Sequence, residues 1–313
     1  MQEQQEMRAV YCAALMEMAE KDGRIVAIQA DLTGSHGMKP VAEKFPDRSF
    51  NVGVAEANMA GVAAGLAAAG KIPFIHSFAT FATRRCFDQI AISICYAKLN
   101  VRIVGSDPGV GAELNGATHM ALEDVGIMRT LPGMTIFEPV DAVQLRAALP
   151  VLTHQDGPAY IRLFRKKAES VFQAGHQFRP GRAELLRDGG DVAIIAAGVC
   201  VFEALVAAER LVASGIRARV LNIHTVKPID AQAVVEAAAE TGAVVTAENH
   251  SIIGGLGSAV AEVLAEEHPA PLVRIGVRDR FGEVGRQDYL MQTFGITAAD
   301  IENAALKVVR RKQ

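Results

Sequence analysis

In Asn51-Val-Gly-Val-Ala-Glu-Ala-Asn-Met59, a short apolar run passes through a single glutamate into a helix of small residues. Residues 50–54 predict a buried strand, and the residues from Asn58 to Ala69 predict the helix. Glu56 lies at the junction, where burial of an unpaired carboxylate costs on the order of several kcal/mol. The carboxylate either caps the helix N-terminus, where negative charge is favoured, or belongs to a functional site. This stretch alone leaves both interpretations open.

Apolar runs alternate with helical patterns on both sides of this junction. The predicted strands are 24–30, 72–75, 100–104, 135–138 and 159–163, and the predicted helices include 7–20, 84–96 and 140–149. This alternation predicts an α/β fold with a parallel sheet and right-handed crossovers. Such sheets bind ligands at the carboxyl ends of their strands. The loops that follow these strands are therefore the candidate site.

The length of 313 residues predicts two domains. Apolar periodicity fades after Lys166, so we expect a first domain over residues 1–175, a linker over 176–190 and a second domain over 191–313. Both domains read as doubly wound α/β units. In the second, Gly254-Gly-Leu-Gly257 before a helix resembles a phosphate loop, but a glycine-rich turn alone is weak evidence, and close packing of the helix on the sheet is the preferred explanation.

Composition excludes several classes of function. The net charge is −3 and no block of lysine and arginine occurs, which argues against nucleic-acid or membrane-surface partners. No apolar run reaches the roughly 18 residues of a membrane-spanning helix, and the polar N-terminus does not resemble a secretion signal. The four cysteines have no metal-ligand spacing, so we expect reduced packing residues in a cytoplasmic protein.

A series of motifs resembles the C-terminal half of transketolase, especially the split form in which a separate subunit carries the N-terminal half. The motifs are Ala30-Asp-Leu32, Asn51-Val-Gly-Val-Ala-Glu56, Ser77-Phe-Ala-Thr-Phe-Ala-Thr83, Gly116-Ala-Thr-His119, Gly157-Pro158 with Arg165, His224-Thr-Val-Lys-Pro-Ile-Asp230, His250-Ser-Ile-Ile-Gly-Gly-Leu-Gly257 and Arg280-Phe-Gly-Glu-Val-Gly285. They span essentially the whole chain. The resemblance implies a thiamine-pyrimidine-binding domain followed by a transketolase C-terminal domain.

The resemblance also implies thiamine diphosphate as the cofactor. Glu56 would bond N1′ of the aminopyrimidine ring and share a proton with it, which assists deprotonation at C2 of the thiazolium. Phe81 would stack on the pyrimidine, Phe78 would line the pocket, and Asp31 would approach the thiazolium and the substrate channel. His119 would contact the reacting end of the sugar. Apart from the resemblance, the two phenylalanines would be interpreted as core residues and the histidine as an ordinary surface residue.

The sugar-binding side departs from the family pattern. Arg8, Ser35 and Arg165 align with residues that hold the phosphate of sugar phosphate substrates, although each arginine is also explained by a surface ion pair. Asn115 replaces an aspartate that, in the family, binds a hydroxyl group of the donor sugar. Asp107 replaces a phosphate-binding histidine. Like charges about 4 Å apart repel by roughly 4 kcal/mol at an effective dielectric near 20. We therefore expect an altered donor specificity.

The chain lacks the Gly-Asp-Gly…Asn motif with which thiamine enzymes hold Mg²⁺ and the diphosphate. We expect no metal ligand here, a partner N-terminal subunit that holds Mg²⁺, and an active site between chains, with two copies of each. The alternatives are a 1-deoxyxylulose-5-phosphate synthase-like half, the β subunit of a 2-oxoacid dehydrogenase E1, and a non-catalytic regulatory subunit. The motif around His119 favours transketolase, and a scaffold would not need Glu56, Phe81 and His119 together.

Overall fold

The computed structural model describes residues 5–312. The strands are β1 (Ile25–Gln29), β2 (Ser49–Asn51), β3 (Ile72–Phe78), β4 (Arg102–Ser106), β5 (Thr135–Phe137), β6 (Ala159–Leu163), β7 (Glu184–Arg187), β8 (Val192–Ala196), β9 (Ala218–Asn222), β10 (Thr225–Lys227), β11 (Val244–Ser251) and β12 (Leu272–Val277). The α-helices are α1 (Met7–Lys21), α2 (Lys39–Lys44), α3 (Glu56–Ala68), α4 (Ala79–Thr83), α5 (Phe87–Gln89), α6 (Asp124–Arg129), α7 (Ala142–His154), α8 (Cys200–Leu211), α9 (Ala231–Thr241), α10 (Leu256–Glu266), α11 (Gln287–Phe294) and α12 (Ala298–Val309).

The first sheet has seven strands in the order β10-β5-β6-β4-β3-β1-β2. Its strands run parallel except β10, which pairs antiparallel with β5. Every residue of β1, β4 and β6 is buried, as expected for central strands with helices on both faces. The predicted parallel α/β architecture is confirmed.

The second sheet has five strands in the order β12-β11-β8-β9-β7. All its pairs are parallel except β7 with β9. Strand β7 lies inside the segment 176–190 that the sequence marks as a linker, so part of that segment belongs to the second sheet. It is an edge strand with half-exposed side chains, which explains why its apolar periodicity is weak.

The prediction of one regular α-helix over residues 84–96 is wrong, because the segment contains three helix types. The segment is a 3₁₀ turn at Arg84–Cys86, a single α-turn at Phe87–Gln89 and a π-helix at Ile90–Tyr96. Three β-branched isoleucines alternate through the π segment, and such residues crowd the preceding turn of a regular α-helix. The spacing of apolar residues in the sequence does not distinguish α-, 3₁₀- and π-helices over such short segments.

The two domains share one apolar core. Ile103 and Ile136 of the first sheet belong to the same buried cluster as Ile195 and Leu221 of the second. The four cysteines are buried and unpaired, which matches their interpretation as packing residues. Within residues 5–312, no helix is long and apolar enough to cross a membrane.

Candidate active site

Five strand ends of the first sheet carry the residues singled out from the sequence. Asp31 follows β1, Glu56 follows β2, Phe78 ends β3, Asp107 follows β4 and Arg165 follows β6. These strands are neighbours in the order β6-β4-β3-β1-β2. Because parallel strands present their carboxyl ends at one edge, the topology brings together residues that are as far apart in sequence as Asp31 and Arg165.

The Glu56 carboxylate points into this edge of the sheet. The residue is only 1% exposed and is the first residue of α3, after an N-cap at Ala55. Ser77 Oγ donates to Glu56 Oε1 at 3.0 Å, and Arg85 Nη1 donates to Glu56 Oε2 at 2.9 Å. The carboxylate is thus held by side chains of β3 and the turn after it. Glu56 also lies in the first turn of α3, where a negative charge is favoured, so its position at the helix N-terminus agrees with the capping interpretation.

An aromatic cluster lies next to this carboxylate. The His119 ring contacts Phe81 and Phe78 edge to face, with centroids 5.2 and 5.4 Å apart, and the two phenylalanine rings are 6.1 Å apart. The Arg85 guanidinium carbon lies 3.9 Å from the Phe81 centroid. Phe78, Phe81 and His119 are half-buried, so they line an open surface and not a closed core.

A second group of charged residues adjoins Phe78. Arg8 Nη1 and Arg165 Nη1 both donate to the Ser35 carbonyl, at 3.0 and 3.3 Å. Arg165 Nε lies 2.8 Å from Asp107 Oδ2, and its guanidinium lies 5.7 Å from the Phe78 centroid. The structure therefore brings Arg8, Ser35, Asp107 and Arg165 together. Ser35, which the resemblance predicted as a phosphate-binding residue, takes part in these contacts through its backbone carbonyl.

Two predicted site residues make contacts elsewhere. The exposed Asn115 side chain donates to the Glu113 carbonyl at 3.3 Å. The exposed Asp31 exchanges hydrogen bonds with Asn51, through its own amide at 3.0 Å and its carboxylate at 3.1 Å. Both lie on loops at the same sheet edge, but neither contacts the aromatic or the charged group directly in the described contacts.

Sequence reasoning missed several site residues. Arg85 and Ser77 bind Glu56, and His36 links the two groups through Ser106 Oγ at 2.8 Å and an edge contact with Phe78 at 5.8 Å. The spacing of Arg85 four residues after Phe81 is no reliable signal, because α4 ends at Thr83 and residues 84–86 form a 3₁₀ turn. Burial lowers the pKa of His36 to about 3, so its imidazole is neutral near pH 7.

Asp107 is fully buried and has unusual electrostatics. Burial raises the pKa of its carboxyl to about 6, although Arg165 and neighbouring cations act in the opposite direction. Because this folded-state pKa lies above the ordinary 3.8, the ionised form disfavours folding. The resulting stability is fully present below pH 3.8 and is lost as pH rises through about 6.

We expect Asp107→Asn to change the pH dependence of stability. Wild type should gain free energy of unfolding relative to Asp107→Asn as pH falls from 7.5 to 4.5, by on the order of 1–3 kcal/mol. Urea unfolding of both proteins across this range measures the difference. A difference that stays constant with pH would contradict the raised pKa of Asp107.

The glycines 254, 255 and 257 serve the packing of α10 and not a phosphate. The amides of Leu256 and Gly257 donate to the buried Glu248 carboxylate at 2.7 and 2.8 Å. A Cβ at Gly255 would overlap that carboxylate. The helix N-terminus is thus already paired with an anion of the chain itself.

A cavity of about 1190 Å³ opens at the other end of the first sheet. Its lining includes Ile72, Asn100 and Pro158, which lie at the starts of strands β3, β4 and β6. It therefore lies away from Glu56 and His119.

The family models of the transketolase pyrimidine-binding domain and the transketolase C-terminal domain match residues 3–170 and 181–301. The chain belongs to the transketolase family. A solved structure described as a split gene transketolase, inactive β4 tetramer, is 47% identical and has a TM-score of 0.91, with 99% of this chain and 100% of that chain covered.

Two curated relatives distinguish the predicted alternatives. The 6-deoxy-6-sulfo-D-fructose transketolase subunit SqwH of Clostridium sp. (strain MSTE9) is 58% identical over 98% of this chain and 95% of its own length. The 1-deoxy-D-xylulose-5-phosphate synthase of Thermomicrobium roseum is 40% identical over 95% of this chain and only 48% of its own length. Identity and coverage both favour the split transketolase subunit over the synthase.

Proposed function

We propose that this chain is one subunit of a two-subunit transketolase that transfers a two-carbon ketol unit from a ketose to an aldose. The observation that supports this most directly is the convergence of the Glu56 carboxylate, the Phe81 face and the His119 imidazole on one open sheet edge. Metabolic enzymes that make and break carbon–carbon bonds next to a carbonyl need an electron sink. Thiamine diphosphate supplies that sink when it is bound.

The residues present fit the aminopyrimidine end of this cofactor. Glu56 and Phe81 already hold one planar group with N–H donors, the Arg85 guanidinium, and an aminopyrimidine has the same character. Glu56 would share a proton with ring nitrogen N1′, and Phe81 would pack on the ring face. His119 would orient the reacting end of the sugar through a ring nitrogen.

The anionic end of the cofactor requires a partner chain. Among residues 5–312, no group of three histidine, cysteine or carboxylate side chains is arranged to hold a metal ion. We assign Mg²⁺ and the diphosphate to an N-terminal subunit, in an assembly with two copies of each chain. Buried unpaired thiols such as Cys86 and Cys95 agree with a cytoplasmic location, where thiols stay reduced.

We further propose a ketose donor that ends in a sulfonate. The relative at 58% identity is named for 6-deoxy-6-sulfo-D-fructose. The paired arginines Arg8 and Arg165 provide cationic groups for an anion, whereas Asp107 places a carboxylate 2.8 Å from Arg165 Nε. A phosphate ester carries about −1.5 to −2 charges at pH 7, and a sulfonate carries one. Repulsion from Asp107 therefore penalises phosphate more than sulfonate.

The experiment is reconstitution of the pure chain with an N-terminal transketolase subunit, Mg²⁺ and thiamine diphosphate. We expect turnover only when both chains are present, and a higher kcat/KM for 6-deoxy-6-sulfo-D-fructose than for fructose 6-phosphate. Steady-state turnover by the single chain would contradict the shared site. Equal kcat/KM for the two donors would remove the sulfonate assignment and leave the transketolase assignment intact.

A further inference from the structure

Arg85 makes the two contacts that the aminopyrimidine ring requires. Its Nη1 donates to Glu56 Oε2 at 2.9 Å, and its guanidinium carbon lies 3.9 Å from the centre of the Phe81 ring. A guanidinium is planar, carries several N–H donors and stacks on aromatic faces. It therefore resembles a protonated aminopyrimidine in shape, charge and hydrogen bonding.

A cofactor ring bound as proposed above would use the same Glu56 oxygen and the same Phe81 face as Arg85. Glu56 Oε1 already accepts a hydrogen bond from Ser77, which leaves Oε2 as the oxygen directed at Arg85. A ring that bonds Glu56 Oε2 and packs on the same Phe81 face needs the volume that the guanidinium fills. Resting on the proposed function, we propose that Arg85 is an internal substitute for the aminopyrimidine and leaves the Glu56–Phe81 pair when the cofactor enters.

The burial of the two partners explains why such a substitute is useful. The Glu56 side chain is 1% exposed, and a buried carboxylate without a partner is strongly unfavourable. The Arg85 side chain is 45% exposed, so its guanidinium can move into solvent without crossing the core. Exchange of Arg85 for the cofactor keeps the Glu56 carboxylate paired in both states. Arg85 thus stabilises the chain alone and competes with the cofactor.

The neighbouring arginine provides a matched control. Arg84 forms a surface ion pair with Glu123 at 2.8 Å, and its side chain is 52% exposed. Arg84→Ala removes the same charge one residue away and leaves the Glu56 contacts untouched. Arg85→Lys keeps the charge but loses the planar fork.

The first measurement is calorimetric titration of the chain–partner complex with thiamine diphosphate in Mg²⁺. We expect Arg85→Ala to bind the cofactor about tenfold more tightly than wild type, Arg85→Lys to be intermediate, and Arg84→Ala to match wild type. Equal affinity in wild type and Arg85→Ala would overturn the inference. Weaker binding by Arg85→Ala would also overturn it, since Arg85 would then be a cofactor ligand.

The second measurement needs no cofactor and separates this inference from the proposed function. In the isolated full chain, Arg85→Ala should have a lower Tm, and millimolar methylguanidinium should raise that Tm while wild type and Arg84→Ala stay unchanged. Equal responses of all three proteins would overturn the inference. Absence of thiamine diphosphate binding by every complex would overturn the proposed function, and methylguanidinium rescue would still support Arg85 as the occupant of the Glu56–Phe81 pair.

Discussion

Glu56→Gln in the chain–partner complex is expected to slow C2 deprotonation of bound thiamine diphosphate by roughly 10²–10⁴-fold, the range typical of general acid–base groups. The glutamine amide can accept a hydrogen bond but cannot take part in sharing a proton with N1′. The carboxylate is 1% exposed, so water cannot readily replace its role. Exchange of the C2 proton for deuterium, followed by NMR after acid quench, measures this step without any sugar.

The matched control is Glu123→Gln, which neutralises a half-buried carboxylate that pairs with Arg84. Its exchange rate should equal that of wild type. Glutamine retains the shape of Glu56 and can still accept from Ser77, so the thermal unfolding of Glu56→Gln should remain cooperative. A wild-type exchange rate in Glu56→Gln with cofactor bound would remove Glu56 from the activation step.

The sequence predicted the site as far as strand ends determine it. Apolar runs in the sequence indicate β1, β3, β4 and β6. Because these strands are parallel, the residues that follow them lie at one edge of the sheet. Glu56 was identifiable because a lone carboxylate beside a helix of small residues needs a partner. The partner itself, Arg85, could not be predicted. It reaches Glu56 from an irregular turn at residues 84–86, and apolar periodicity does not reveal such a turn.

Contacts between distant segments were also beyond the sequence. Strand β10 is three residues long and joins the first sheet from the second half of the chain, next to β5. A strand of three residues is too short to show an alternating apolar pattern, and its pairing with β5 depends on tertiary packing. The altered charge at Asp107 is visible in the sequence, but its full burial and its contact with Arg165 depend on the tertiary packing of β4 and β6.

Arg162 joins the two domains through a buried charged network. Its guanidinium donates to Asp124 Oδ2 at 2.7 Å and to Glu138 Oε1 at 2.8 Å. It also donates to the Asn249 carbonyl in β11 at 2.8 Å, and Tyr160 donates to Asp124 at 2.6 Å. Arg162 is 0% exposed, so all its donors depend on protein acceptors.

Arg162→Met should lower the free energy of unfolding by about 3–5 kcal/mol, because it leaves two buried carboxylates without their cation. Urea unfolding of the full chain measures the loss. The control is Arg146→Met, which breaks a surface pair with Glu17 at 2.7 Å and should cost less than about 1 kcal/mol.

A triple variant separates two contributions to the free energy of unfolding: the destabilisation by unpaired buried carboxylates and the stabilisation by the hydrogen bonds of Arg162. Arg162→Met/Asp124→Asn/Glu138→Gln neutralises the two carboxylates that bond Arg162, and we expect it to be more stable than Arg162→Met alone. Loss of stability equal to or greater than that of the single variant would mean that the directed bonds to Asn249 and Ala121 carry the energy. In that case the network would fix the second domain against the first mainly through hydrogen-bond geometry, and charge balance would be secondary.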